Sequence, residues 1–117
     1  MNNALPVLIF SRNDELRILI REMLGKNGFF HVLEATTSSE ALTFYREHQQ
    51  STLTVIHGDV IEANLMEQVV KSGKFIIISS PEDTKTVQLA AKLGVRHVIS
   101  FPFSSNSLMN KITDILQ

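Results

Sequence analysis

Cysteine is absent from the 117 residues. That removes a disulfide framework, a thiolate zinc site and a cysteine nucleophile. There is no excess of either charge: the formal net charge is −1. Nothing therefore predicts direct nucleic-acid binding, which calls for a basic face. No apolar run approaches the roughly 20 residues needed to span a bilayer. Met1-Asn2-Asn3-Ala4 lacks a secretory pattern, so a soluble, cytoplasmic protein without membrane contact is the expectation. The histidines His31, His48, His57 and His97 show no close ligand spacing, and no metal site is expected. The five glycines never fall as Gly-x-Gly-x-x-Gly, which weighs against a dinucleotide site. No cofactor is implied. Repeats, low-complexity stretches and linkers are lacking too. What is present, 44% hydrophobic and 20% charged residues, supplies one compact core and reads as a single domain over residues 1–117.

Two kinds of segment alternate along that domain. Leu5 to Phe10 is a nearly continuous apolar run, the signature of a strand buried on both faces. Asn13 and Asp14 supply cap chemistry for a helix carrying Leu16, Leu19, Ile20, Met23 and Leu24 at helical spacing, ended by Gly25 and Gly28. Phe29 to Leu33 reads as a second strand. Thr37 and Glu40 have capping-box spacing before a helix expected to bury Ala41, Leu42 and Tyr45. A third strand, from Thr52, stops at His57. Val60 to Lys71 has a helical pattern, and Lys74 to Ile78 is the purest strand. Ser80-Pro81 is expected to open a fourth helix, with Ser80 as cap, Pro81 at its first position and Asp83 at the positive end of the dipole. Val87, Ala90, Ala91 and Leu93 are read as its inward face, closed by Gly94. Val95 to Ser100 reads as a fifth strand, and a fifth helix begins near Ser104 or Ser105 and carries Leu108, Ile112, Ile115 and Leu116.

Five strands alternating with five helices predict an α/β fold. Parallel strands need right-handed crossover helices, which stack on both faces of the sheet. In doubly wound sheets of this kind the site lies beyond the carboxyl ends of the strands, where the strand order reverses. Those ends carry Ser11, Arg12 and Asn13, then His57, Gly58 and Asp59, then Ser79 and Ser80, then Phe101 and Pro102. With no Gly-x-Ser-x-Gly elbow, the two serines are not read as nucleophiles.

The chain resembles the receiver domains of two-component response regulators over essentially its whole length. The resemblance rests on Val7-Leu8-Ile9-Phe10 leading to Arg17, and on Ala35-Thr36-Thr37-Ser38-Ser39-Glu40-Ala41-Leu42. It rests also on Ala91-Lys92-Leu93-Gly94-Val95 and on Phe101-Pro102-Phe103 leading to Leu108. It implies a flavodoxin-like, CheY-like five-stranded parallel sheet in the order 2-1-3-4-5, and a cis bond at Phe101-Pro102. Receivers carry an acidic pair that binds magnesium, an acceptor aspartate, a hydroxyl and a lysine. Carried over by residue, the pair falls on Ser11 and Arg12, the acceptor on His57, the hydroxyl on Ser79 and the lysine on Phe101. The aromatic of the fifth strand falls on Val98. Twenty-two positions separate His57 from Ser79, fewer than in the family, while the 22 from Ser79 to Phe101 match it.

Of those functional positions only the hydroxyl survives. A hard cation wants carboxylate oxygens, and a guanidinium about 4 Å from a second positive centre is repelled by roughly 2 to 4 kcal/mol per unit charge product at an effective dielectric near 20. The expectation is a pseudo-receiver: not an enzyme, acting by phosphorylation-independent protein–protein contact. By resemblance the partner, an output domain or a second copy, meets the fourth helix, fifth strand and fifth helix. Two rival readings are a phosphoacceptor using Asp59 or His57 with magnesium, and a sensor binding a small anion near Arg12 and Ser80. His57 reads either as a titrating or phosphorylated group or as a hydrogen-bonded strand end. Arg12 reads either as an internal cation paired with Asp59 or Glu62, or as a solvent-facing loop residue.

Overall fold

The computed structural model describes residues 5–48, 52–60, 74–80 and 82–116. Its strands are β1 (Val7–Phe10), β2 (Val32–Ala35), β3 (Leu53–His57), β4 (Phe75–Ser79) and β5 (Val98–Ser100). Its helices are α1 (Asp14–Lys26), α2 (Ser38–His48), α3 (Thr84–Lys92) and α4 (Ser105–Leu116), with a short 3-10 turn at Gly58–Val60. The helix read from Val60 to Lys71 lies outside the described residues beyond Val60. The predicted fourth and fifth helices are therefore α3 and α4 here.

All strands pair in parallel, in the order β2-β1-β3-β4-β5, which is the predicted architecture. Period-two alternation explains how continuous apolar runs serve two cores at once. Val7, Ile9, Val55, Ile76 and Ile78 point to one face, where Leu16, Ile20 and Leu24 of α1 and Leu108 and Ile112 of α4 cover them. Leu8, Phe10, Ile56 and Ile77 point to the other, against Ala41 and Phe44 of α2 and Ala90 of α3.

Local chemistry sets the helix limits. Asn13 caps α1 by accepting the Leu16 amide at 3.0 Å, and Gly28, at φ 87°, allows the turn that follows Asn27. At α2, Thr37 Oγ1 accepts the Glu40 amide at 3.2 Å while Glu40 Oε1 reaches back to the Thr36 amide at 3.1 Å. Bonds from the Thr36 amide first and the Thr36 hydroxyl next hold the Glu40 carboxyl below its ordinary range.

Several boundaries and faces differ from the sequence reading. The second strand is Val32–Ala35 rather than 29–33, because Phe29 is a buried anchor whose amide bonds back to Leu24 of α1 and Phe30 is 80% exposed. Glu34 is tolerated in this edge strand because Arg17 Nε and Arg21 Nε each reach its carboxylate at 3.0 Å. In α2 the buried residues are Ala41 and Phe44, with Leu42 and Tyr45 half-buried. The fifth strand holds only Val98–Ser100 of the predicted 95–100. Finally, α3 starts at Thr84 and is capped by Asp83, not Ser80, and Pro81 lies outside the described residues. Its inward face is Thr86 and Ala90, leaving Val87 51% and Leu93 37% exposed. Thr86 can be buried because Asp83 takes both its amide and its hydroxyl.

One polar contact across the α2 layer makes a pH prediction. Tyr45 Oη bonds Thr54 Oγ1 at 2.8 Å. Burial pushes the phenol up to about 12 from 10.0, with the Thr54 bond pulling the other way. The unfolded chain therefore ionises first. The stabilisation is whole below about pH 10 and is lost as pH rises toward about 12, a loss of about 2 to 3 kcal/mol. Urea unfolding at pH 8 and pH 11.5, compared with Tyr45→Phe, is expected to show this loss in the parent protein and not in the variant.

Candidate functional site

The strand order places the ends of β1 and β3 side by side. Phe10 is level with Ile56, so the next residues, Ser11 and His57, meet. Ser11 is buried, and its backbone amide extends the β1–β2 ladder to the Ala35 carbonyl at 3.2 Å. The 3-10 turn after His57 then folds Asp59 back over the strand ends. Its Oδ2 accepts the Ser11 hydroxyl at 3.2 Å and the Arg12 backbone amide at 3.1 Å. Its Oδ1 lies 3.1 Å from His57 Nδ1. Ser11 Oγ also accepts the Asn13 amide at 3.0 Å and lies 3.2 Å from His57 Nδ1.

Proton counting orients this cluster. The single Ser11 hydroxyl proton goes to Asp59 Oδ2, so it cannot also go to His57. His57 Nδ1 must then carry a proton, shared between Asp59 Oδ1 and Ser11 Oγ. Ser11 Oγ, both Asp59 oxygens and His57 Nδ1 all have partners, and the carboxylate holds the ends of β1 and β3 together.

Arg12 takes no part through its charge. The residue is exposed, its amide makes the Asp59 contact, and among the described residues its guanidinium forms no ion pair. Of the two readings open for Arg12 the solvent-facing one holds among the described residues, with the backbone amide making the Asp59 contact, and Glu62 lies outside the described residues. Arg17 is the inward guanidinium: Nη1 donates to the Ser11 carbonyl at 2.7 Å, and the side chain also pairs with Asp14 and Glu34. It braces the loop from below.

The remaining predicted residues sit to one side. Ser79, level with Ser100, is buried at the end of β4, and its carbonyl accepts the Phe101 amide at 2.7 Å. Phe101, 39% exposed, precedes the cis Phe101-Pro102 bond that the resemblance implied. With His57, Asn13, Glu15, Leu16 and Leu19 it lines a cleft of about 280 Å³.

A second contact was missed in the sequence. Gly58 packs directly on the start of α3, where a Cβ would overlap Asp83 Oδ2 and Thr86 Oγ1. Bonds from the Thr86 hydroxyl and amide hold the Asp83 carboxyl below its ordinary range, with the nearby His57 imidazole acting in the same direction. The Asp-x-x-Thr spacing after β4 was the available signal for this cap.

The donor set does not suit magnesium. That ion takes octahedral oxygen ligands, keeps several waters and is held through one or two carboxylates with oxygens free to bind it. Around Ser11 the described residues offer one carboxylate, one hydroxyl and one imidazole. Both Asp59 oxygens are already engaged by protein donors, and no three His, Asp or Glu side chains among the described residues group as metal ligands.

No family model matches the chain. The chemotaxis protein CheY of Bacillus subtilis (strain 168) is 27% identical over 115 residues, spanning 94% of this chain and 96% of that one. Among solved structures, a response regulator receiver domain protein from Clostridium thermocellum matches with a TM-score of 0.80 at 19% identity, covering 95% of this chain and 93% of that one. The signal receiver domain of a modulated diguanylate cyclase from Desulfovibrio desulfuricans G20 matches with a TM-score of 0.80 at 16% identity, over 95% and 92% of the two chains. The chain is thus similar to CheY in sequence, and it shares the CheY-like fold of these receiver domains. Among the described residues no helix is long and apolar enough to cross a membrane.

Proposed function

We propose that this receiver domain of two-component signalling works by protein contact without being phosphorylated, and catalyses no transfer of its own. The observation that carries the reading is the state of Asp59. A phosphoacceptor needs an oxygen open to an incoming phosphoryl group and a cation to neutralise it. Asp59 instead spends its oxygens on Ser11, the Arg12 amide and His57. Phe101 stands where the resemblance puts a lysine, and it brings no charge.

A pocket closed in this way favours one arrangement of the strand ends, so the signal would lie in who binds. The face formed by α3, β5 and α4 supports that role, since Val87 and Leu93 are exposed there beside a short edge strand. The partner would be an output domain or another protein that meets this face.

Asp59 also favours a second reading, because it is a carboxylate at the strand ends and would become the acceptor if its hydrogen bonds opened. Titration with beryllofluoride and magnesium, followed by 15N-HSQC spectra, separates the two. The proposal expects no saturable shift at His57, Gly58, Asp59, Ser79 or Ser100. Saturable shifts centred on Asp59 would establish the acceptor instead.

A further inference from the structure

We propose that the cleft beside His57 and Phe101 receives a cationic side chain, arginine by preference, presented by a partner protein. The inference rests on the contact-based reading above and names the chemistry of one contact, at the carboxyl ends of the strands. Its lining combines three features. Leu16, Leu19 and Phe101 make an apolar wall, Glu15 supplies a carboxylate, and Asn13 and His57 supply polar atoms. Among the described residues no lysine or arginine lines the cleft.

The volume of about 280 Å³ lies at or below the low end of small-molecule sites, which run from roughly 300 to 1,000 Å³. It suits one long side chain. Such a side chain must lay an aliphatic stem along leucines and end in a charge, which describes lysine and arginine. Glu15 is exposed and forms no ion pair among the described residues, whereas Asp14 beside it is taken by Arg17. The positive end of α1 opposes a cation with about half a charge. The full charge of Glu15 outweighs it. Phe101, 39% exposed, offers a ring face on which a planar guanidinium can stack, a geometry that an ammonium does not match. The partner's cation would thus stand near where the resemblance expects a lysine and this chain carries Phe101.

The test is a 15N-HSQC titration of the whole chain with n-butylguanidinium chloride, at ionic strength matched with sodium chloride, and in parallel with sodium butyrate. Saturable shifts are expected at Asn13, Glu15, Leu16, Leu19, His57 and Phe101 with the guanidinium and not with butyrate. Glu15→Gln and Phe101→Leu should each weaken binding by about three-fold, the size of one exposed ion-pair or cation–π contact. The leucine variant keeps the apolar wall and removes only the ring. Absence of saturation, equal response to butyrate, or variants that bind as the parent does would each overturn the proposal. Such failure would leave the phosphorylation-independent reading intact, since that reading stands or falls on phosphoryl analogues at Asp59.

Discussion

Gly58→Val lowers the unfolding free energy by about 2 to 4 kcal/mol, as an overpacking term of about 1 to 3 plus a damaged helix cap of about 1. The cause is space, not backbone strain. Gly58 lies under the first turn of α3, and a Cβ there would stand 2.5 Å from Thr86 Oγ1 and overlap the Asp83 carboxylate as well. Neither atom is free to swing away, because Asp83 caps the helix through the Thr86 amide at 3.1 Å. Urea unfolding should show a lower midpoint at an unchanged slope. Pairing the substitution with Thr86→Ala, which vacates the space, should cost less than the two single losses combined. Strict additivity would mean that the contact does not limit the position.

Asp59→Ala is expected to cost about 2 to 3 kcal/mol. A hydrogen bond to a charged group contributes about 1.5 to 3 kcal/mol net, and Asp59 makes three such contacts. Its side chain is 27% exposed, so water replaces part of what is lost and the sum falls well short of three full bonds. The larger part comes from Ser11, which is buried and would lose the acceptor for its hydroxyl. Asp59→Asn keeps one acceptor oxygen and should lose about half as much. The same variants should disturb the His57 Nδ1 proton resonance, which a purely surface role for Asp59 would leave unchanged.

Much of the fold could be read from the chain because each buried strand carries a run that no surface element would tolerate. Val7 to Phe10 and Phe75 to Ile78 supply both cores by alternation alone. The edges were harder to read. Phe29 looks like a strand residue by composition, yet it is an anchor tucked under α1, and Glu34 looks like a strand breaker until Arg17 and Arg21 are seen to neutralise it. Val87 and Leu93 fit an inward helical stripe as well as Thr86 and Ala90 do. Only the Asp83 contacts decide which stripe turns inward.

The site was legible as positions and not as contacts. Strand ends bring Ser11 beside His57, with Ser79 at the end of β4 and Phe101 just past β5. Sequence spacing could not tell that a 3-10 turn would swing Asp59 back onto Ser11, or that Arg12 would contribute its amide and not its charge. Both outcomes depend on backbone turns of one residue, below the reach of periodicity.

Intact-mass spectrometry of the protein after incubation with acetyl phosphate and magnesium bears most directly on whether these strand ends perform phosphoryl transfer. A spectrum holding only the unmodified species is what a fully engaged Asp59 requires. A stable phosphoryl adduct mapped to Asp59 or His57 would contradict the account at its root.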